Sequence, residues 1–463
     1  MNIAFLDLYR SPYTSRTPQE SPLGGTQSAV AYLAAALARR GHCVTVVNAV
    51  SEALTSEGVQ FVGRDIVSSS FFARFDVLVM VSAALGRELR AAGADIPLVL
   101  WCHHDVDQPA VQNLLDPEER EKWSGFAMVS RWQAERYAAT LALPAAKQHV
   151  LRNAASPAFF DIPERRSWIA RGSPPVLYYT STPFRGLDTL LDSMPAVRAA
   201  LPGTRLRVFS SMQLYGIRSE QDDYKWLYEK CRATEGAEYV GPLPQRLLAM
   251  ELAAADVHAY PSTFPETSCI AIMESMAAMS LIVSTRLGAL EETTGGFAFL
   301  LPAPAQKALL VEQYSGFLVQ KLREMSEQPA VLESRLSAQR QFAIDNYRWE
   351  RRAEEWERWL ETQCEAGTSS VRVSNPETAR SLSASGNILK AAGNLEQAIA
   401  SYRRSLALDP GYMPALYNLG LALHQSERLD EAERCFRQLV EADPADVDSL
   451  FHLGALLQRR GQT

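Results

Sequence analysis

Two glutamates, Glu266 and Glu274, stand with seven residues between them in the otherwise apolar run FPETSCIAIMESM, Phe264 to Met276. A carboxylate buried without partners is costly. These two therefore either find partners inside the protein or serve a ligand. The run follows VHAY and a short turn, PST. Pro265 disfavours the helical region for the residue before it, and Thr267 and Ser268 are N-cap types. The pattern predicts a helix that begins close to Ser268, at the carboxyl end of a strand. Glu266 would lie in the loop before it and Glu274 almost two turns inside. The first-turn amides and the helix dipole suit an anion, at about 0.3–1 kcal/mol per charge. The loop carboxylate can accept hydrogen bonds from hydroxyls beside that anion, and the helical carboxylate from hydroxyls on the far side. A ligand that joins a diphosphate to hydroxyl-rich groups at both ends is a nucleotide sugar.

The elements that must position these groups follow from the apolar rhythm. NIAFLDL, Asn2 to Leu8, reads as a strand, and TQSAVAYLAAALARRGH as a helix with Thr26 as N-cap and Gly41 at its C-cap. Further strands read at CVTVVNAV, FDVLVMVSA, IPLVLWC, FAMVS and HVLRN. Near-continuous apolar strands between helices imply parallel sheets covered on both faces. The rhythm restarts after DIPERRSWIARGSPP, with VLYYTS, RLRVFSS, AEYVG, DVHAYPS and LIVSTR. The expected fold class is therefore α/β, two doubly wound domains in tandem, over 1–163 and 164–362. Ligands of such sheets bind at the carboxyl ends of the strands, so two of them facing each other make a cleft. YRWERRAEEWERWL, with Trp349, Trp356 and Trp359, is expected to close the second domain as a long packed helix.

The segment 363–381 reads as a linker, and 382–463 as repeats. Gly386, Gly420 and Gly454 are 34 apart, as are Leu395 and Leu429, Ala398 and Ala432, Tyr402 and Phe436, and Pro410 and Pro444. This helix–turn–helix period resembles tetratricopeptide repeats. Two repeats and the first helix of a third are present. No polar capping helix follows, so more repeats, or pairing through this end, are expected.

Composition narrows the class. The 463 residues are 47% hydrophobic and 21% charged, a soluble globular balance. A net charge of −7 argues against a nucleic-acid binder. No run of about 18 apolar residues predicts a membrane span, and MNIAFLDLYR does not read as a signal peptide. Six scattered cysteines without CxxC spacing fit reduced thiols and a cytoplasmic protein.

The stretch YPSTFPETSCIAIMESMAAMSLIVSTRLGALEE resembles retaining GT-B glycosyltransferases, especially the large family four group. The resemblance implies that Glu266 contacts the donor sugar and Glu274 the ribose hydroxyls. Three other stretches agree. In SPLGGTQSAV, Gly24 and Gly25 would face the donor across the cleft. In TSTPFRGLDTLLDSM, Arg185 would hold the diphosphate, but Ser181, Thr182 and Pro183 stand where the family has a second basic residue. In LVLWCHHDVDQP, a histidine near the reaction centre is implied. Side chains alternate along a strand, so only one of His103 and His104 should face the cleft, and the resemblance points to His104. The DVD triplet at Asp105 to Asp107 recurs at Asp446 to Asp448 and is read as chance. No metal and no cofactor beyond the nucleotide-sugar donor is expected.

The resemblance implies sugar transfer with retention of configuration. Arg185 and the amides near Thr267 and Ser268 would stabilise the departing diphosphate, and that phosphate would serve as the base. The repeats imply a protein or peptide acceptor. Two other readings stand beside this one. The chain can be a scaffold that has lost turnover, which the missing second basic residue favours. It can also be an enzyme of the same fold that phosphorolyses or epimerises sugars, though no lysine sits where a phosphorylase cofactor would attach.

Overall fold

The computed structural model describes residues 1–163, 167–217, 219–367 and 377–459. Two α/β domains and a helical segment make up the chain. The first sheet contains β1 (Asn2–Asp7), β2 (Cys43–Asn48), β3 (Leu54–Ser56), β4 (Val59–Gly63), β5 (Val77–Val81), β6 (Leu98–Cys102), β7 (Gly125–Met128) and β8 (Gln148–Val150), ordered β3-β4-β2-β1-β5-β6-β7-β8. Every pair is parallel except β3 with β4. The second sheet is fully parallel. Its strands are β9 (Val176–Thr180), β10 (Arg205–Phe209), β11 (Ala237–Tyr239), β12 (Val257–Tyr260), β13 (Leu281–Arg286) and β14 (Phe299–Pro302), ordered β11-β10-β9-β12-β13-β14. Strands β3, β4 and β14 escape the sequence pattern. They lie at or beside sheet edges and are partly exposed, so they need no continuous apolar run.

The chain passes between the domains twice. Leu151 and Ala154 belong to the first core, whereas Ala155, Phe159 and Ile162 already belong to the second. The passage thus comes before the expected boundary at 163. Residues 164–166 lie outside the described residues. The return passage lies between Tyr347, in the second core, and Trp349, in the first. The two passages touch, Ala155 N donating to Tyr347 O over 3.0 Å.

That return corrects one expectation. The helix Trp349–Gly367 closes the first domain, not the second. Trp356 lies 4.9 Å from Trp101 and 6.5 Å from Phe5, ring centre to ring centre. Trp349, Trp356 and Trp359 form one apolar stripe, and a stripe shows that a helix is packed without showing against which sheet.

The expected linker is also shorter than 363–381. The tryptophan helix runs to Gly367 and the next begins at Ala379, capped by Thr378; residues 368–376 lie outside the described residues. The helices Ala379–Ala391, Leu395–Leu408, Met413–Gln425, Leu429–Ala442 and Val447–Arg459 follow. Their 34-residue period has a packing cause. A Cβ on Gly386 would sit 2.5 Å from the Tyr402 ring, and one on Gly420 2.9 Å from Phe436. The first repeat is also docked. Ala384 and Ile388 join the core on one face of the first sheet, and the helix Ala379–Ala391 packs on Gly86–Ala91. Arg64 adds a hydrogen bond from Nη1 to Ala392 O, 3.2 Å. Among the described residues, no helix is long and apolar enough to cross a membrane.

Candidate functional site

A cavity of about 240 Å³ opens where the carboxyl ends of the two sheets face each other. It brings together every residue that the sequence singled out: Gly24, Gly25, His103, His104, Arg185, Glu266, Thr267, Ser268 and Glu274.

Glu266 lies in the loop after β12 and is only 3% exposed. Its carboxylate accepts from Arg185 Nη1 at 2.9 Å on both oxygens, and Oε1 also accepts from the Tyr260 hydroxyl. Its backbone is held as firmly. Ala289 N donates to Glu266 O over 2.7 Å, and Gly288, at φ +62°, lies so near that a Cβ there would be 2.4 Å from that oxygen.

The following helix is Ile270–Ala277, with Cys269 at its N-cap. It starts later than Ser268 because the expected cap residue is used elsewhere: Thr267 Oγ1 donates to His103 O of the first domain, 2.8 Å. Glu274 is accordingly just over one turn inside, not two. Ser268 Oγ is buried with no hydrogen-bond partner among the described residues. Glu274 accepts from Gln245 Nε2 at 3.1 Å. Burial pushes its carboxyl up to about 8, partly offset by the Ser156 backbone.

Arg185 ends the short turn Pro183–Arg185 after β9. Gly186 follows at φ +124°, and a Cβ there would come 2.1 Å from Pro261 O, so only glycine fits. Burial alone would lower the guanidinium pKa. The Glu266 charge outweighs it and holds the pKa well above its ordinary value. Arg185 also lies 4.6 Å over the Phe264 ring, and Nη2 donates to Tyr215 Oη at 3.3 Å. It is the one Lys or Arg among the described residues that line the cleft. Ser181 and Thr182 line it where the resemblance implies a second basic residue, and the Thr182 hydroxyl is buried without a partner among the described residues.

Both histidines line the cleft, which corrects the expectation of one. Strand β6 ends at Cys102, so the alternation that would separate their side chains has already stopped. Burial, with His104 adding to it, brings His103 down to about 3. His104 is also lowered, first by burial and further by the Arg185 charge. His103 Nε2 and His104 Nδ1 are buried with no partner among the described residues.

Gly24, rather than Thr26, caps the helix Gly25–Arg39. A Cβ on Gly24 would stand 3.0 Å from Leu214 O of the second domain, and one on Gly25 3.4 Å from Ile270 Cδ1. The two domains therefore meet at this turn. Asp105, of the DVD triplet, accepts from Arg136 Nε at 2.9 Å and from Val106 N at 2.7 Å.

Four cleft neighbours carried no sequence signal. Tyr260 reads as a core aromatic at the end of an apolar strand. Tyr215 and Gln245 lie outside the motifs and reach Arg185 and Glu274 through the folding of the second domain, and Asn153 ends the run HVLRN without marking a site.

Comparison with known proteins bears on the fold and the domain organisation. Residues 174–318 match the family described as glycosyl transferases group 1. Residues 386–427 match the TPR repeat family and 414–446 the tetratricopeptide repeat family. No curated protein matches the chain by sequence. Among solved structures, sucrose-phosphate synthase from Thermosynechococcus elongatus superposes with a TM-score of 0.58 at 16% identity, over 79% of this chain and 99% of that one. A glycosyltransferase from Rickettsia africae gives 0.58 at 12% identity, over 80% and 99%. Anabaena Alr3699/HepE in complex with UDP and glucose gives 0.53 at 16%, over 78% and 100%. The chain thus carries a group 1 glycosyl transferase domain within a two-domain GT-B frame, followed by tetratricopeptide repeats.

Proposed function

We propose that the chain transfers a sugar from a UDP- or GDP-sugar to an acceptor with retention of configuration and without a metal ion. The observation that carries this reading is a set of buried, unpaired polar atoms on one cleft: Arg185 Nε, Thr182 Oγ1, Ser268 Oγ, His103 Nε2 and His104 Nδ1 have no partner among the described residues. Buried polar groups are normally satisfied, and an anion flanked by hydroxyls would satisfy these. Arg185 can keep Glu266 on Nη1 and still offer Nε–H to a phosphate. Thr182 and Ser268 supply hydroxyl donors where a second cation is lacking. Glu266 holds hydroxyls of the donor sugar, and Glu274 those of the ribose. His103, and His104 with it, are disfavoured as cations, so at neutral pH they present a neutral ring to the sugar near the reaction centre. Donors preset around the developing diphosphate charge are the main source of rate enhancement in this scheme, and the leaving phosphate takes the acceptor proton. A protein or peptide held by the repeats is the acceptor class, on the strength of the repeat architecture.

One observation favours a second reading, a scaffold with little turnover: the one Lys or Arg among the described residues that line the cleft is already paired with Glu266. A single experiment separates them. Purified protein is incubated with UDP-, GDP-, ADP- and TDP-sugars in EDTA, beside Glu266→Ala and Glu274→Ala, with nucleotide binding read in the same samples. Release from one donor, lost in both variants, is expected. Neither release nor binding from any donor would overturn the transferase reading in favour of the scaffold.

A further inference from the structure

The side chain of Tyr32 lies outside the sequence motifs and outside the cavity lining, yet it sits where both domains and both passages meet. It projects from the helix Gly25–Arg39, two turns beyond the glycines that face the cleft. Its ring stacks on Trp349, at the return passage, with centroids 6.2 Å apart and planes 27° apart. Its hydroxyl donates to Gln245 Oε1 of the second domain over 2.6 Å and lies 2.9 Å from Ser156 Oγ, at the first passage. A phenol has one proton to give. Gln245 takes it, so Ser156 donates to Tyr32. The amide of Gln245 is thereby oriented, with its oxygen toward Tyr32 and its nitrogen toward Glu274 Oε1, 3.1 Å away. Tyr32 is 5% exposed and Glu274 also 5%, so water competes poorly at either end.

We propose that Tyr32 and Gln245 are positioning residues that aim the Glu274 carboxyl at the donor, and do so only while the two domains are closed on each other. This rests on the donor role of Glu274 given above. The relay runs from the first domain, through an amide of the second, to the residue that meets the nucleoside. Opening the cleft removes the tyrosine, frees the amide to turn, and leaves Glu274 without its one side-chain donor among the described residues. Donor affinity and domain closure are then one coupled event, because a ligand shifts a two-state equilibrium only by its differential affinity for the two states.

The test uses the full chain with Tyr32→Phe, Gln245→Ala and the double variant. Tyr32→Phe removes one oxygen and keeps the ring on Trp349. Nucleotide binding is measured by calorimetry with UDP, GDP and their 2′-deoxy forms, and donor turnover is measured in parallel. Each single variant is expected to weaken binding about tenfold, with kcat within about twofold. The double variant should be no worse than Gln245→Ala, since the two act as one unit. Preference for the ribonucleotide over its 2′-deoxy form should shrink in all three. Unchanged affinity in Tyr32→Phe, or additive losses in the double variant, would overturn the relay while leaving the transferase reading intact. A large fall in thermal midpoint for Tyr32→Phe would make the hydroxyl a structural one and also overturn it. If the unaltered protein binds no nucleotide at all, the donor role of Glu274 fails and the relay fails with it.

Discussion

Arg185 grips both carboxylate oxygens of Glu266 through a single nitrogen, Nη1 lying 2.9 Å from each. The carboxylate is 3% exposed and the arginine side chain 22%, so the pair is only partly shielded from solvent. Lysine carries the same charge but no planar fork, and it would lose either Glu266 or the phosphate. Arg185→Lys is expected to lower turnover about 10²–10³-fold, the range for one lost donor at a developing charge. The Arg185→Ala, Glu266→Ala double variant should be far less than additive, because either single change already breaks the unit. Steady-state kinetics of the unaltered protein, Arg185→Lys, the two alanine variants and the double variant check this, and additive losses would show the two residues working independently.

The sequence made some of this site readable for physical reasons. Glu266, Glu274 and Arg185 are charged residues in apolar or loop settings, and such residues demand partners. Gly24 marks a place where backbone approaches backbone, and Gly25 one where the Ile270 side chain does. What could not be read is pairing across the fold. Glu266 meets Arg185 from 81 residues away, Tyr32 reaches Gln245 from 213, and Thr267 caps nothing because His103 of the other domain takes its hydroxyl. The tryptophan stripe likewise shows a packed helix without showing which of the two domains it closes. The docking of the first repeat is hard to read because Ile388 matches the apolar Ala422 and Leu456 one and two periods on, and Ala384, where the later repeats have Asn418 and His452, is too small to mark a contact by itself.

Gly288 braces the loop that carries Glu266. Its φ of +62° and the 2.4 Å and 2.5 Å approaches to Glu266 O and N leave no room for a methyl group. Gly172 has almost the same φ, +63°, and nothing within 4 Å of its would-be Cβ. The backbone cost alone, about 1–2 kcal/mol, is therefore common to Gly172→Ala and Gly288→Ala. Only Gly288→Ala should lose turnover, by tenfold or more, since misplacing a reacting group by a fraction of an ångström is expensive. Equal kinetics in the two variants would show that the brace does not act on Glu266.

Glu274 gives the protein a pH-dependent stability whose sign is fixed by its environment. Burial raises its folded carboxyl to about 8, above the ordinary 4.5. The folded state therefore holds a proton that the unfolded state releases. The stabilising contribution is fully present below about pH 4.5 and is lost as pH rises to about 8, at no more than about 1.4 kcal/mol per pH unit. Glu274→Gln mimics the protonated form and should lack this slope, so that it becomes the more stable protein at pH 8. Urea unfolding of both proteins at pH 5, 6, 7 and 8, without nucleotide, measures it. Parallel curves would mean that Glu274 is already ionised in the cleft.

The repeats are joined to the first α/β domain by packing as well as by sequence. Ile388 is 1% exposed and belongs to the same apolar cluster as Leu89 of the helix Gly86–Ala91, whereas Phe451, in the last helix, is 71% exposed. A carboxylate placed at Ile388 would be buried without a partner, which costs several kcal/mol. One at Phe451 would stay in water. Ile388→Asp is thus expected to unseat the first repeat and to speed amide exchange over Gly86–Ala91, while Phe451→Asp leaves it unchanged. Nucleotide binding should survive both, because neither residue lines the cleft. The protein acceptor proposed above, held by seated repeats, would meet the cleft in one orientation, so Ile388→Asp should slow transfer to it and spare any hydrolysis of the donor by water. If exchange over Gly86–Ala91 is the same in all three proteins, the repeats are tethered rather than seated, and orientation of the acceptor must come from elsewhere.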